Sequence, residues 1–395
     1  MMRRIDILAA VLGLGLLAAA CERGDAAGNG RQDAQAAGDA GDGTSADAAA
    51  PDAAVPCTAA SCPLGCCHGT TCETPSSLHC GGGGGVCQPC TGATPVCSGG
   101  TCVAPPPSCT GLPATCGPGG DASCCDANLV FGGTYDRGND PSYPATVDDF
   151  KLEAYEVTVG RFRTFVAAGA GTQASPPADG SGALPSLPDS GWRAATWNAS
   201  LAADTAALTA ALKCEPTFAT WTDAPGDHET RPMNCVDWYE AFAFCVWDGA
   251  RMPTEAEWNY AAAGGDEQRK FPWSVPPSSM TIDPSHASYH CLGDGSPDMQ
   301  CAVTDLLAVG TKPAGNGRWG QADLGGNVQE WVLDWYAAYY ATPCDNCAAV
   351  AAGTDRVFRG GSFYFAGSTL LTSLRVYAAP TNRTAFLGLR CARSP

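Results

Sequence analysis

The sequence predicts an α+β fold, irregular and loop-rich, preceded by a disordered tether and a disulfide-rich stalk. Three observations point there. The 48 glycines and 30 prolines, about a fifth of the 395 residues, favour turns and loops over a helical bundle. Two capping-box sequences mark short helices, while the other apolar runs are brief and broken by Gly, Pro, Asn and Asp. Of the 23 cysteines, ten crowd between Cys57 and Cys102, where large apolar side chains are nearly absent.

Taken in order, Arg3 and Arg4 precede an apolar run from Ile7 to Ala20. That run is too short for a spanning helix, and residues 1–20 read as an export signal. The run ends LLAAAC, similar to a bacterial lipoprotein cleavage site with Cys21 as the lipidated new N-terminus; an ordinary secretory signal is the alternative. The expectation is an exported bacterial lipoprotein, held to a membrane by the lipid on Cys21. It would sit on the periplasmic face of the outer membrane or at the cell surface. Residues 21–56 are mostly Ala, Gly and Asp, with Val55 as the one sizeable apolar residue after the anchor, too little to offset ordering entropy. They read as an acidic tether spanning roughly 30 Å root-mean-square.

Export implies an oxidising compartment. Setting Cys21 aside leaves 23 − 1 = 22 cysteines, an even number, as full pairing requires. Residues 57–108 are then a disulfide-stapled stalk, in which cross-links replace a core. Cys66–Cys67 and CQPC (Cys87, Cys90) also have the look of zinc ligands, but disulfides are the default. The segment APPPS (104–108) reads as a stiff spacer.

Residues 109–395 carry all ten tryptophans, between Trp192 and Trp335, and therefore the substantial core. Asp237 with Glu240 opens a helix through WYEAFAFCVW that Gly249 stops. Thr254 with Glu257 opens a second one ending at Gly264, and a third covers Val159–Ala168. Segments such as RVFRGGSFYF suggest strands and long loops. Cys214, Cys235, Cys291 and Cys301 pair most simply among themselves. CDNC (Cys344, Cys347) reads first as a local disulfide in a surface loop, with a metal or redox exchange as the alternatives. His286 and His290 stand four apart, a helical metal spacing, yet two loop histidines is the simpler reading. The formal charge of −18 argues against nucleic acid, which needs clustered Lys and Arg. No HExxH, phosphate loop or G-x-S-x-G occurs, leaving the common hydrolase routes unsupported.

Three blocks carry a resemblance: NCVDWYEAFAFCVWDGARMPTEAEWNYAAAGG (234–265), GRWGQADLGGNVQEWVLDWY (317–336), and RVFRGGSF (356–363) with LGLRCAR (387–393). Together with EAYEVTVGRFRTFV (153–166) they resemble the sulfatase-modifying-factor family, whose best known member is the formylglycine-generating enzyme, over about residues 126–395. The resemblance implies a C-type-lectin-like variant of the α+β fold. It also implies copper held by two cysteines, oxidising a sulfatase cysteine with molecular oxygen. Cu(I) prefers soft thiolates, but here the first of those positions is Phe365 and the second is at or beside Leu370. No ligand for copper is left there. Ser362 matches a polar residue beside the family's metal, and one hydroxyl does not replace two thiolates.

The resemblance further implies a Cys245–Cys391 disulfide. It also implies structural calcium, held by the side chains of Asp323 and Glu330 and the carbonyls of Gly326 and Val328. Hard oxygens on a Gly-containing turn suit that ion; the alternative is an Asp turn whose Glu330 caps or salt-bridges locally. The functional expectation is an envelope protein that binds an unknown partner protein, peptide or glycan in a groove beside Ser362, Tyr364, Phe365 and Arg375. The alternative is a formylglycine-generating-type oxidoreductase acting on a protein cysteine through an atypical metal site, so whether the chain is an enzyme stays open.

Overall fold

The computed structural model describes residues 56–296 and 300–395. The export signal, Cys21 and the tether up to Val55 lie outside the described residues. Every cysteine from Cys57 to Cys391 is in a disulfide, so the described residues contain no free thiol.

The cysteine-rich segment is built from two small hairpins. One pairs β1 (Cys66–His68) with β2 (Thr71–Glu73), the other β3 (Val96–Ser98) with β4 (Thr101–Val103). Five bridges staple it: Cys57–Cys67, Cys62–Cys72, Cys66–Cys87, Cys80–Cys97 and Cys90–Cys102. It does not stand apart, however. Ser98 of β3 pairs with Ala127 of β5 (Ala127–Val130), a strand of the larger domain. The Asp126 carboxylate, fully buried, accepts from the N–H groups of Ser77 (2.6 Å) and Cys97 (2.9 Å). The APPPS segment also departs from a free spacer. Ser108 is buried, its N–H donates to Asp248 at 2.9 Å, and its Oγ accepts from Arg161 at 2.9 Å.

After β5 come β6 (Gly133–Asp136), β7 (Pro144–Val147) and β8 (Phe150–Glu153). The first helix, α1 (Val159–Ala167), starts at Thr158, whose side chain accepts from the Arg161 N–H. Two short helices follow, α2 (Ala194–Trp197) and α3 (Thr205–Ala211). Helix α4 (Trp238–Trp247) and helix α5 (Glu255–Ala262) both open with complete capping boxes, Asp237/Glu240 and Thr254/Glu257. Both end with glycine in the left-handed region, Gly249 (φ 69°) and Gly264 (φ 68°), where a Cβ would be strained. Helix α4 is buried over eight of its ten residues, which is why its sequence is apolar all round and not striped.

The remaining strands are β9 (Gln329–Trp335), β10 (Cys344–Asp345), β11 (Arg356–Arg359), β12 (Val376–Ala378), β13 (Leu387–Gly388) and β14 (Ala392–Arg393). They form three sheets with their earlier partners, ordered β14-β8-β5-β3-β4, β10-β7-β6 and β12-β11-β9-β13. The main core joins α1, α4 and β9 through packed rings: Phe162, Phe165 and Phe244 meet within 5.5 Å of one another, and Trp192, Trp197, Trp238 and Phe242 form a second nest. Cys245 of α4 is joined to Cys391 beside β14. The other bridges are Cys109–Cys125, Cys116–Cys124, Cys214–Cys235, Cys291–Cys301 and Cys344–Cys347.

Several buried charges are paired. Glu153 faces Arg161 and Arg393, and although burial opposes its ionisation, those guanidinium groups hold its carboxyl down at about 2. Glu255 holds Arg359 and Arg375 in the same way.

Candidate functional site

The family-like blocks, far apart in sequence, converge on one loop. Strand β11 ends at Arg359, and Gly360 and Gly361 turn the chain with φ of 100° and 69°. A Cβ on Gly361 would lie 2.8 Å from the Thr369 carbonyl and 2.7 Å from Leu370 Cδ1, so only glycine lets the loop fold back on itself. The Gly360 carbonyl accepts from Gly326 N–H at 2.9 Å and Phe363 N–H donates to Asn327 at 2.9 Å. On the other side, Cys291 N–H donates to Phe363 (2.8 Å) and His290 N–H to Phe365 (2.9 Å). Residues 360–365 are therefore clamped between the GGNV turn and the HASYHC segment. Asn327 ties in the early block as well, donating to Glu156 at 2.7 Å.

The resemblance places the copper thiolates at Phe365 and at or beside Leu370, and both of these side chains are hydrocarbon. Phe365 packs on Phe386 (ring centroids 5.2 Å) and Tyr364 (5.6 Å). Leu370 is 1% exposed among Phe271, Trp273 and Ala287. Neither carries a donor atom, and with every described cysteine in a disulfide no neighbouring thiolate can stand in. The residues do not fit Cu(I).

Phe363, Tyr364, Phe365, Phe218 and Phe386 form one aromatic cluster, with Tyr364 on Phe386 at 4.8 Å and Phe218 on Phe363 at 5.5 Å. Tyr364 is 42% exposed and so faces solvent. Ser362 does not line that surface: it is fully buried, its Oγ accepting from the Tyr364 N–H at 3.4 Å. Arg375 is committed elsewhere, bidentate to Glu255 (2.6 and 2.7 Å) and 4.0 Å over the Tyr340 ring. Of the four groove residues read from sequence, Tyr364 and Phe365 are brought together at the surface.

The GGNV turn places Asp323 and Glu330 near Glu156 and Arg390. Glu330 accepts from Arg390 through both oxygens (2.7–2.9 Å) and from Trp258 Nε1 at 2.7 Å. Asp323 accepts from the Gly310 N–H at 2.6 Å. Burial pushes Asp323 up to about 6, an effect the Gly310 N–H only partly offsets. Burial, with the charges of Asp323 and Glu330, pushes Glu156 well above the carboxylate range. Three carboxylates thus face one guanidinium, and a hard cation beside Asp323 and Glu156 would supply the missing charge. Glu330 is already satisfied by Arg390. Gly326 is needed for the turn itself, since a Cβ there would lie 2.4 Å from the Ser288 carbonyl at φ 96°. His286 stacks on Trp273 at 5.2 Å and bonds Asp283, and it shares no metal-ligand cluster with His290 among the described residues.

Sequence reading missed Glu156, Arg390 and Trp258 as partners of the turn, and Phe218 and Phe386 as partners of the aromatic loop. Only the tertiary fold joins them. It also missed a cleft of about 480 Å³ where Pro63 and Leu64 of the cysteine-rich segment meet Phe131, Tyr260, Arg318 and Trp319.

Residues 117–395 match the family described as sulfatase-modifying factor enzyme 1-like domain. The formylglycine-generating enzyme of Mus musculus is 30% identical over 270 residues, 65% of this chain and 68% of that enzyme. The formylglycine-generating enzyme of Streptomyces coelicolor is 30% identical over 302 residues, 70% of this chain and 87% of that enzyme. The solved structure of PvdO from Pseudomonas aeruginosa aligns over 68% of this chain and 94% of its own, with 21% identity and a TM-score of 0.45.

Proposed function

This chain belongs to the sulfatase-modifying factor enzyme 1-like family, and we propose that it keeps the family's scaffold without copper oxidation, as a binding head at the cell envelope. One observation carries the reading. The resemblance calls for thiolates at Phe365 and at or beside Leu370; neither of these side chains has a donor atom, and each is packed into an apolar cluster. Removing a metal's ligands removes the metal. What the substitution leaves is an aromatic surface led by Tyr364, suited to a peptide or a sugar ring.

In this reading Cys21 bears the lipid, and residues 21–56 link the head to the outer membrane, on its periplasmic face or at the cell surface. Calcium is a structural ion beside Asp323, with the Gly326 and Val328 carbonyls and with Glu156 supplying charge. The competing reading, an oxidase of the formylglycine-generating type using an atypical metal, is favoured by the 30% identity to such enzymes.

Anaerobic Cu(I) titration of the purified chain, followed by oxygen uptake on a cysteine-containing sulfatase peptide, separates the two. The expected result is no stoichiometric copper and no uptake; copper binding with turnover overturns the proposal. Screening peptide and glycan arrays with wild type and Tyr364→Ala tests the binding half. Binding that survives Tyr364→Ala unchanged counts against the aromatic surface.

A further inference from the structure

The CDNC disulfide is the anomaly among the cross-links. Cys344–Cys347 closes three residues, against eight for the next shortest and 146 for the longest. A cross-link restrains the unfolded chain roughly with the logarithm of the loop it closes, so this one contributes least to stability. The turn is also held without it. Strand β10 pairs with β7, Cys344 opposite Ala145 and Asp345 opposite Thr146. Asn346, in the left-handed region at φ 47°, donates its N–H to Thr146 at 2.9 Å and accepts from the Asp148 N–H at 2.7 Å. Opening the S–S bond would leave those contacts in place.

A cation waits at one sulfur. Arg137 is 5% exposed, and its Nη1 lies 3.5 Å from Cys347 Sγ. Its Nη2 donates to the Ala341 carbonyl, its guanidinium lies 4.5 Å over the Tyr340 ring, and its Nε has no partner. Unlike the paired arginines of the core, it forms no ion pair with a carboxylate among the described residues. The other charged or titratable groups it feels are Tyr135, Tyr340, Glu255 and Asp334, and burial disfavours its charge. Asp345, between the two cysteines in sequence, is exposed on the turn. Cys344 is buried, whereas Cys347 is half-buried.

We propose that Cys344–Cys347 is an exchangeable, oxidising disulfide whose reduced form is held by a Cys347 thiolate against Arg137, and whose substrate is a partner bearing a dithiol. A partner thiolate attacks Cys347 Sγ, the Cys344–Cys347 bond breaks, and Cys344 leaves as a thiolate that takes a proton from water. The partner's second thiolate then attacks its own sulfur in the mixed disulfide, expelling Cys347 as the thiolate paired with Arg137. Two electrons pass from the partner dithiol, which becomes a disulfide, to Cys344 and Cys347. A nearby guanidinium lowers a thiol's pKa and makes its disulfide a stronger oxidant. The proposal is independent of copper and of the Tyr364 surface.

The test equilibrates the full chain with mixtures of reduced and oxidised dithiothreitol, alkylates, and maps each cysteine by mass spectrometry. Cys344 and Cys347 are expected to open while the other ten bridges stay closed. Arg137→Gln is expected to shift that equilibrium about tenfold toward the disulfide, about 30 mV, with Arg137→Lys restoring most of it. A bond that opens only on global unfolding, or a shift below twofold, overturns the proposal. Should Arg137→Gln fail to fold, Cys344→Ser isolates the Cys347 thiol. Its thiolate absorbance is expected to appear below pH 7, and a midpoint at or above the ordinary value of about 8.5 refutes the role given to Arg137.

Discussion

Replacing Cys245 and Cys391 together by alanine should be the most damaging disulfide deletion available in this chain. Both sulfurs are fully buried and their bridge spans 146 residues, tying α4 to the segment before β14. The chain-entropy relation for a loop of that length gives about 5 kcal/mol at 25 °C. Two smaller bridges nested inside it, Cys291–Cys301 and Cys344–Cys347 with separations of 10 and 3, shorten the effective loop too little to change that by more than ~0.1 kcal/mol. The same relation gives only about 1.6 kcal/mol for Cys344–Cys347. The double substitution leaves no stray thiol, so urea unfolding of wild type, C245A/C391A and C344A/C347A, followed by fluorescence of the buried tryptophans, reads the difference directly. The expected ordering is a loss about three times larger for the long loop. Equal losses would refute the reasoning, because they would mean that the unfolded chain is not what these bonds restrain.

Other outcomes follow from the charged groups. Glu255→Gln strands Arg359 and Arg375, which it holds at 2.6–2.7 Å in the interior, and should cost about 3–5 kcal/mol. Asp223→Asn, which breaks the exposed pair with Lys213, should cost less than about 1 kcal/mol, and both are read from the same urea transitions. Stability should also fall as pH rises from about 4 to 7 in calcium-free buffer. Burial pushes the carboxyls of Asp126 to about 7 and of Asp323 and Asp334 to about 6, so the folded chain retains protons that the unfolded chain releases. For Asp323 the penalty is about 3 kcal/mol at most. Calcium should therefore raise the melting temperature more at pH 7.5 than at pH 5, and an ion effect of equal size at both refutes the placement beside Asp323.

Much of the scaffold was legible because its signals are local. A capping box needs only two residues three apart, so Asp237/Glu240 and Thr254/Glu257 fixed the starts of α4 and α5. The run of cysteines with no apolar filling announced the stapled segment. What was not legible is long-range. No pattern around Ser98 says that β3 will find Ala127, and APPPS looks like a spacer until Ser108 is seen under Arg161. The candidate site divides in the same way. That Phe365 and Leu370 lack donors is visible in the letters, while the burial of Ser362 and the capture of Arg375 by Glu255 depend on which side chains the fold brings within reach. Arg137 gave no signal at all, since its partner sulfur lies 210 residues away.

The docking of the cysteine-rich hairpin fixes how the molecule can move. With β3 and β4 continuing the sheet of the domain and Asp126 gripping the amides of Cys97 in β3 and of Ser77, there is no swivel between stapled segment and head. A pull applied at Pro56 would therefore enter through the cross-linked knot and spread into the sheet as shear, with the stapled segment and the aromatic face held at a constant angle to each other.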